Sequence, residues 1–224
     1  MMITISGGHL APLGYALQSE GSMTAQRLHV LLLLVLPLSV AGMVMGGAAH
    51  RLWLVVLSAS AFNGFLVWTA IRTNAPYWSA AAPQHQDHAV VPLRQNTRML
   101  AIAYAWGSFA MQALYTTQLT GLKWQHAWQY ASIMAVMGGF ALLFTRLLES
   151  ENAGIRRIVL GIAPLLAIGH AMLAAGGLVF LAASGKLLVR RSDWAANQVF
   201  LFGALSVMIL AAITLRTHAR LTRH

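Results

Sequence analysis

The sequence predicts an all-α integral membrane protein, a bundle of about six transmembrane helices with both termini cytoplasmic. Composition is the first ground: 58% of the 224 residues are hydrophobic and only 9% are charged. A soluble domain carries about 25% charged residues. This chain therefore lacks the polar side chains to wet a globule of its size, and lipid removes that need. The second ground is a set of apolar runs at 28–49, 52–71, 99–119, 127–145, 158–184 and 195–215, each near the length that crosses a hydrocarbon core. The third is the gathering of basic and aromatic residues at the ends of those runs. No composition shift marks a separate soluble domain. The chain divides into a cytoplasmic N-terminal segment (1–27), a membrane domain (28–215) and a basic cytoplasmic tail (216–224).

The elements follow in order. The N-terminal stretch has no basic region ahead of the first apolar run, which is itself about as long as a spanning helix. It reads as a segment preceding a signal-anchor-like helix, not as a cleaved signal peptide. Ser22 or Thr24 is the expected cap of that first helix, and Ser192 or Asp193 that of the last. Only His50 and Arg51 separate the first two runs, which makes them a tight hairpin. Pro37 and Pro164 fall inside runs one and five, where a membrane helix kinks and continues. The stretch 72–98, with Pro76, Pro83 and Pro92, is expected to be a long loop of the functional or disordered kind. Arg216, Arg220 and Arg223, at helical spacing, carry the last helix on into the headgroups.

Lys and Arg set the orientation. Arg27, Arg72, Arg94, Arg98, Arg146, Arg156, Arg157, Arg216, Arg220 and Arg223 share one side; Arg51, Lys123, Lys186, Arg190 and Arg191 share the other. The more basic side is cytoplasmic by the positive-inside rule. Trp53, Trp124, Trp128, Tyr130 and Trp194 then form an outer aromatic belt, and Trp68, Tyr77 and Trp78 an inner one. The net charge of +10 is accounted for by anionic headgroups, and no aromatic-basic module of a nucleic-acid binder is present.

Chemistry inside the spans is sparse. Glu20, Asp87, Glu149, Glu151 and Asp193 all lie outside the apolar runs, as do the lysines and arginines. Intramembrane charges mark proton relays, ion paths and counter-ions. Their absence from the runs argues against a proton pump, a strongly ion-coupled carrier and a retinal protein with its bundle lysine. The absence of cysteine excludes disulfides, thiolate metal sites and a cysteine nucleophile. No metalloprotease helix, phosphate-binding loop, dinucleotide fingerprint or nucleophile elbow occurs. No catalytic residue is expected, and no metal site: His85, Asp87 and His88 have metal-capable side chains but no evident fourth ligand.

The interior polar residues share a depth. Ser39, Asn63, Gln112, His170 and Ser206 each fall near the middle of a different run, predicting one layer at mid-bilayer. In the third run Tyr104, Ser108, Gln112 and Tyr115, spaced by four, four and three, form a polar stripe. In the fifth, His170 shares a small-residue face with Ala163, Ala167, Ala174 and Gly177. Interhelical hydrogen bonding is the first expected role of these side chains; in the alternative, Asn63, Tyr104, Ser108, Gln112, Tyr115 and His170 are the candidate ligand-binding residues. Haem is disfavoured: His50 and His126 lie near the outer rim and His29 near the inner one, so none matches the depth of His170. Gly42 and Gly46, with Gly138, Gly139, Gly176 and Gly177, read as helix-packing sites.

The expected function is a non-catalytic subunit or assembly factor in a bacterial inner-membrane complex, partnered by other membrane subunits or by copies of itself. A carrier or channel for a neutral small solute is the alternative, and a haem- or quinone-binding cytochrome-type subunit a third.

Overall fold

Helices form over all the apolar runs, and two of them outgrow the runs considerably. The computed structural model describes residues 11–78, 86–117, 124–184 and 194–222, with the side chains of 11–23, 86–89 and 124–127 excepted. Six long helices occur among the described residues: α1 (Ala11–Ala48), α2 (Leu52–Asn74), α3 (Gln86–Thr116), α4 (Trp124–Leu148), α5 (Ala153–Ala183) and α6 (Trp194–Leu221). A 3-10 turn, Ala75–Trp78, extends α2. Pro37, Pro92 and Pro164 all lie within helices.

Stretches of α1, α2 with its turn, α4, α5 and α6 are each long and apolar enough to cross a membrane. α3 is not among these five. It carries Arg94, Gln95, Asn96 and Arg98 in its first half and the Tyr104–Tyr115 polar stripe in its second. Its surroundings explain why this composition is tolerated. α3 packs on α4, α6, α1 and α2, so protein encloses much of it, and side chains from neighbouring helices meet its polar groups.

Two expectations change here. The stretch 72–98 is not a long loop, because α2, its turn and the first turns of α3 occupy most of it. Residues 79–85 lie outside the described residues. Pro92, Arg94 and Arg98, which resemble a loop in one dimension, sit in α3, whose polar side chains find partners across the bundle. Likewise α1 begins at Ala11, so Ser22 and Thr24 are inside the helix and do not cap it. The expected caps at Ser192 and Asp193 lie outside the described residues. α5 is capped by Asn152, whose Oδ1 accepts from Gly154 N at 2.9 Å and Ile155 N at 3.3 Å.

The α1–α2 connection is tight for identifiable reasons. Arg51 N donates to Gly46 O at 2.8 Å and His50 N to Gly47 O at 3.0 Å, the paired bonds of a Schellman helix end. His50 takes the left-handed position, with φ of 51°. A side chain there costs about 1–2 kcal/mol relative to ordinary backbone. His50→Gly is expected to stabilise the protein by about 1 kcal/mol, read as a higher thermal-unfolding midpoint in detergent. A lower midpoint would show that the imidazole makes a compensating contact.

Close approach along the hairpin depends on glycine. A Cβ on Gly46 would stand 3.0 Å from the backbone nitrogen of Val55, and one on Gly42 would collide with the Ser58 hydroxyl. Gly177 likewise lies against the ring of Phe200 on α6. Gly139 and Gly176 do not play the expected packing role, since a Cβ at either meets nothing among the described residues.

α1, α2, α3 and α6 enclose the main core. At its centre Trp106 stacks on Phe62 with ring centroids 5.6 Å apart, and both are fully buried. α4 leans on α3, and α5 on α6. α4 and α5 touch each other much less, so a gap opens between them beyond their short connection at 149–152. The outer surface is apolar: Leu34, Leu38, Phe140, Leu165, Leu173 and Phe180 are each more than half exposed. Trp53, Trp68 and Trp128 are also exposed, whereas Trp194 is a core residue and not part of a belt.

Candidate functional site

The gap between α4 and α5 forms a groove of about 520 Å³. Its floor is α3 and α6, represented by Leu100 and Leu210; its walls include Met137 and Phe144 from α4 and Ile162 and Leu166 from α5. The exposed Phe140, Leu143, Leu165 and Leu173 stand at its edges, so it opens sideways through the outer face of the bundle.

Four polar side chains line the groove, Asn96, Thr97, His170 and Thr214, and each is bonded into the helices. Asn96 exchanges hydrogen bonds with Asn74, donating at 3.2 Å and accepting at 2.6 Å. The Thr97 and Thr145 hydroxyls lie 2.8 Å apart, joining α3 to α4. Thr214 donates back to Leu210 O at 2.8 Å. His170 Nδ1 lies 2.8 Å from the Tyr104 hydroxyl. The wall that remains is hydrocarbon, which favours an apolar chain over a water-soluble solute.

Of the sequence-predicted site residues, Tyr104 and His170 come together at this groove, with ring centroids 5.5 Å apart. Asn63 joins Ser206, whose hydroxyl donates to Asn63 Oδ1 at 2.7 Å in the core. Ser39 lies at a similar level, accepting from Trp106 Nε1 at 3.2 Å. Ser108 donates to Ala131 O and accepts from Gln112 Nε2, both at 3.1 Å. Tyr115 is half-buried farther along the same helix.

The single expected layer is therefore only partly assembled. Ser39 pairs with Trp106, His170 with Tyr104 and Asn63 with Ser206, but Gln112 stands eight residues beyond Tyr104. At 1.5 Å per residue that is about 12 Å along the axis. The cause is the early start of α3 at Gln86, which moves its centre toward Tyr104.

A second polar group was not anticipated. Thr217 donates to Asn74 Oδ1 at 2.8 Å and accepts from Trp78 Nε1 at 2.9 Å, extending the Asn74–Asn96 pair into a four-residue network. Arg216 lies over the Trp78 ring, 4.3 Å from its centroid. Beside the groove Glu149 meets three arginines: Arg98 at 2.5 Å, Arg146 at 3.2 Å and Arg94 at 3.7 Å. The only sequence signal for this cluster was the assignment of all three arginines to one side of the bundle.

No group of three or more histidine and acidic side chains suited to a metal ion occurs among the described residues. His85 lies outside them, and no side-chain position is described for Asp87 or His88.

The long apolar helices and apolar exterior are those of an integral membrane protein, and the site is a side-opening hydrophobic groove. Searches against protein-family models, curated proteins and solved structures find no match to this chain.

Proposed function

We propose that the chain is a six-span, non-catalytic membrane subunit that binds a chain-bearing amphiphile from the bilayer in the α4–α5 groove. One observation carries this: the groove opens to the side, through a face that lipid would cover, and its lining polar groups are already bonded within the protein. An axial path for a neutral solute has less support, because the Phe62–Trp106 stack fills the centre between α1, α2, α3 and α6. The six-span count takes α3 as a span shielded by its neighbours, with both termini on the arginine-rich, cytoplasmic side of a bacterial inner membrane.

Association with other subunits is supported by α5, only 22% of whose most apolar window is buried within the bundle. A partner or lipid must cover the remainder.

Gly169 provides the test. It lines the groove, and a Cβ there meets nothing, so a large side chain can enter the cavity without displacing backbone. Gently solubilised wild type is expected to retain a lipid-like molecule in native mass spectrometry, and Gly169→Trp to lose it while unfolding normally. Equal retention by both proteins would remove the groove as the binding site.

A further inference from the structure

We propose that the groove's ligand is an anionic phospholipid, its phosphate held by Arg94 and Arg98 and one acyl chain lying toward His170. This rests on the groove reading above and adds the headgroup. Leu93, Asn96 and Thr97 of α3 and Phe144 and Leu147 of α4 line one end of the groove. Arg94 and Arg98 interleave with the first set and Arg146 with the second. The arginine cluster therefore borders that end, while Tyr104–His170 lies farther along. From Met137 to Leu147 the α4 wall spans ten residues, about 15 Å. A bilayer core is about 30 Å thick, so the groove is as deep as one leaflet. A lipid of that leaflet would place its headgroup at the arginines when its chain end reaches the histidine.

Charge complementarity identifies the headgroup. Three guanidinium groups meet a single carboxylate at Glu149, leaving an excess of positive charge. Arg94 is the least satisfied of the three. Its contact to Glu149 is the longest, and among the described residues its Nε is buried without a hydrogen-bond partner. A phosphodiester supplies both the missing charge and the acceptor oxygens that a guanidinium fork fits. A neutral headgroup supplies no net charge.

The full chain, delipidated in detergent, is titrated by native mass spectrometry with phosphatidylglycerol and with phosphatidylcholine of identical chains. Phosphatidylglycerol is expected to bind about thirtyfold tighter, as roughly 1 kcal/mol for each of the two engaged arginines implies. The double variant Arg94→Gln, Arg98→Gln is expected to erase the preference, and Arg94→Lys with Arg98→Lys to keep most of it. Glu149→Gln, which removes the competing carboxylate, should tighten phosphatidylglycerol binding.

Equal binding of the two lipids, abolished by Gly169→Trp, would overturn the headgroup assignment and leave the groove reading intact. Binding of neither lipid would overturn both. A preference that survives the double Gln variant would place the headgroup elsewhere. Displacement of the lipid by inorganic phosphate alone would reassign the arginines to a soluble anion. A neutral quinone bound in preference, and lost in His170→Leu, would reverse the ligand's polarity in the groove.

Discussion

Gly46→Leu is expected to part α1 from α2 and to destabilise the protein by about 3 kcal/mol, the upper part of the usual range for overpacking. A Cβ at Gly46 meets Val55 Cγ2 at 2.9 Å, Val55 N at 3.0 Å and Leu54 Cβ at 3.1 Å. One of these atoms is main chain, so no rotamer change relieves the contact. The helices have to separate, and Met43 and Val55, both fully buried, would lose their packing with them. Gly176→Leu is the matched control, because that position has open space around it. Unfolding in graded denaturing detergent should separate the two variants clearly. Equal stability would mean that α1 and α2 are not held at this distance.

Asn74→Leu is the second large effect. Asn74 is fully buried and serves three neighbours: its amide donates to Ala70 O at 2.8 Å and Asn96 Oδ1 at 2.6 Å, and its oxygen accepts from Asn96 and Thr217. Leucine is close in size but answers none of these groups. It would strand the Asn96 amide and the Thr217 hydroxyl proton, both buried. Each buried group left unsatisfied costs about 1–3 kcal/mol, so for the two a loss of about 2–6 kcal/mol is expected. Membrane hydrogen bonds measured singly average about 0.6 kcal/mol. A loss of that size would show that Asn96 and Thr217 find other partners when Asn74 is gone. The Asn74→Leu, Asn96→Leu double variant distinguishes the cases, since removing both partners should cost less than the sum of the two single changes.

The sequence exposed some of this and hid the rest for physical reasons. Hydropathy and length located α2, α4, α5 and α6, because an apolar run is a local property of the chain. Gly42 and Gly46 were visible as packing sites because small residues one turn apart act locally too. Depth counting brought Asn63 and Ser206 to one level, and they are bonded. The same counting failed for Gln112, because the start of α3 was hidden behind Pro83, Pro92 and two arginines. Those residues look like a loop until Asn74 of α2 and Glu149 of the α4–α5 connection are seen to meet α3's polar groups. Pairing across 22 or 51 positions leaves no periodic trace.

The groove was invisible for a different reason. It is a gap between α4 and α5, lined by the same leucines, phenylalanines and isoleucines that line any lipid-facing surface. Tyr104 and His170 were each singled out, one from a stripe and the other from a small-residue face. What joins them is the axial register of α3 against α5, which only the assembled bundle provides.

The central claim is that the groove faces bilayer hydrocarbon. The chain contains no cysteine, so Gly169→Cys carries the sole thiol and can be labelled with a small fluorophore inside the groove. In reconstituted vesicles, lipids brominated deep in their acyl chains should quench this label strongly, and aqueous iodide should leave it bright. Strong iodide quenching with no effect of the brominated chains would contradict the account, placing water where the proposal puts lipid.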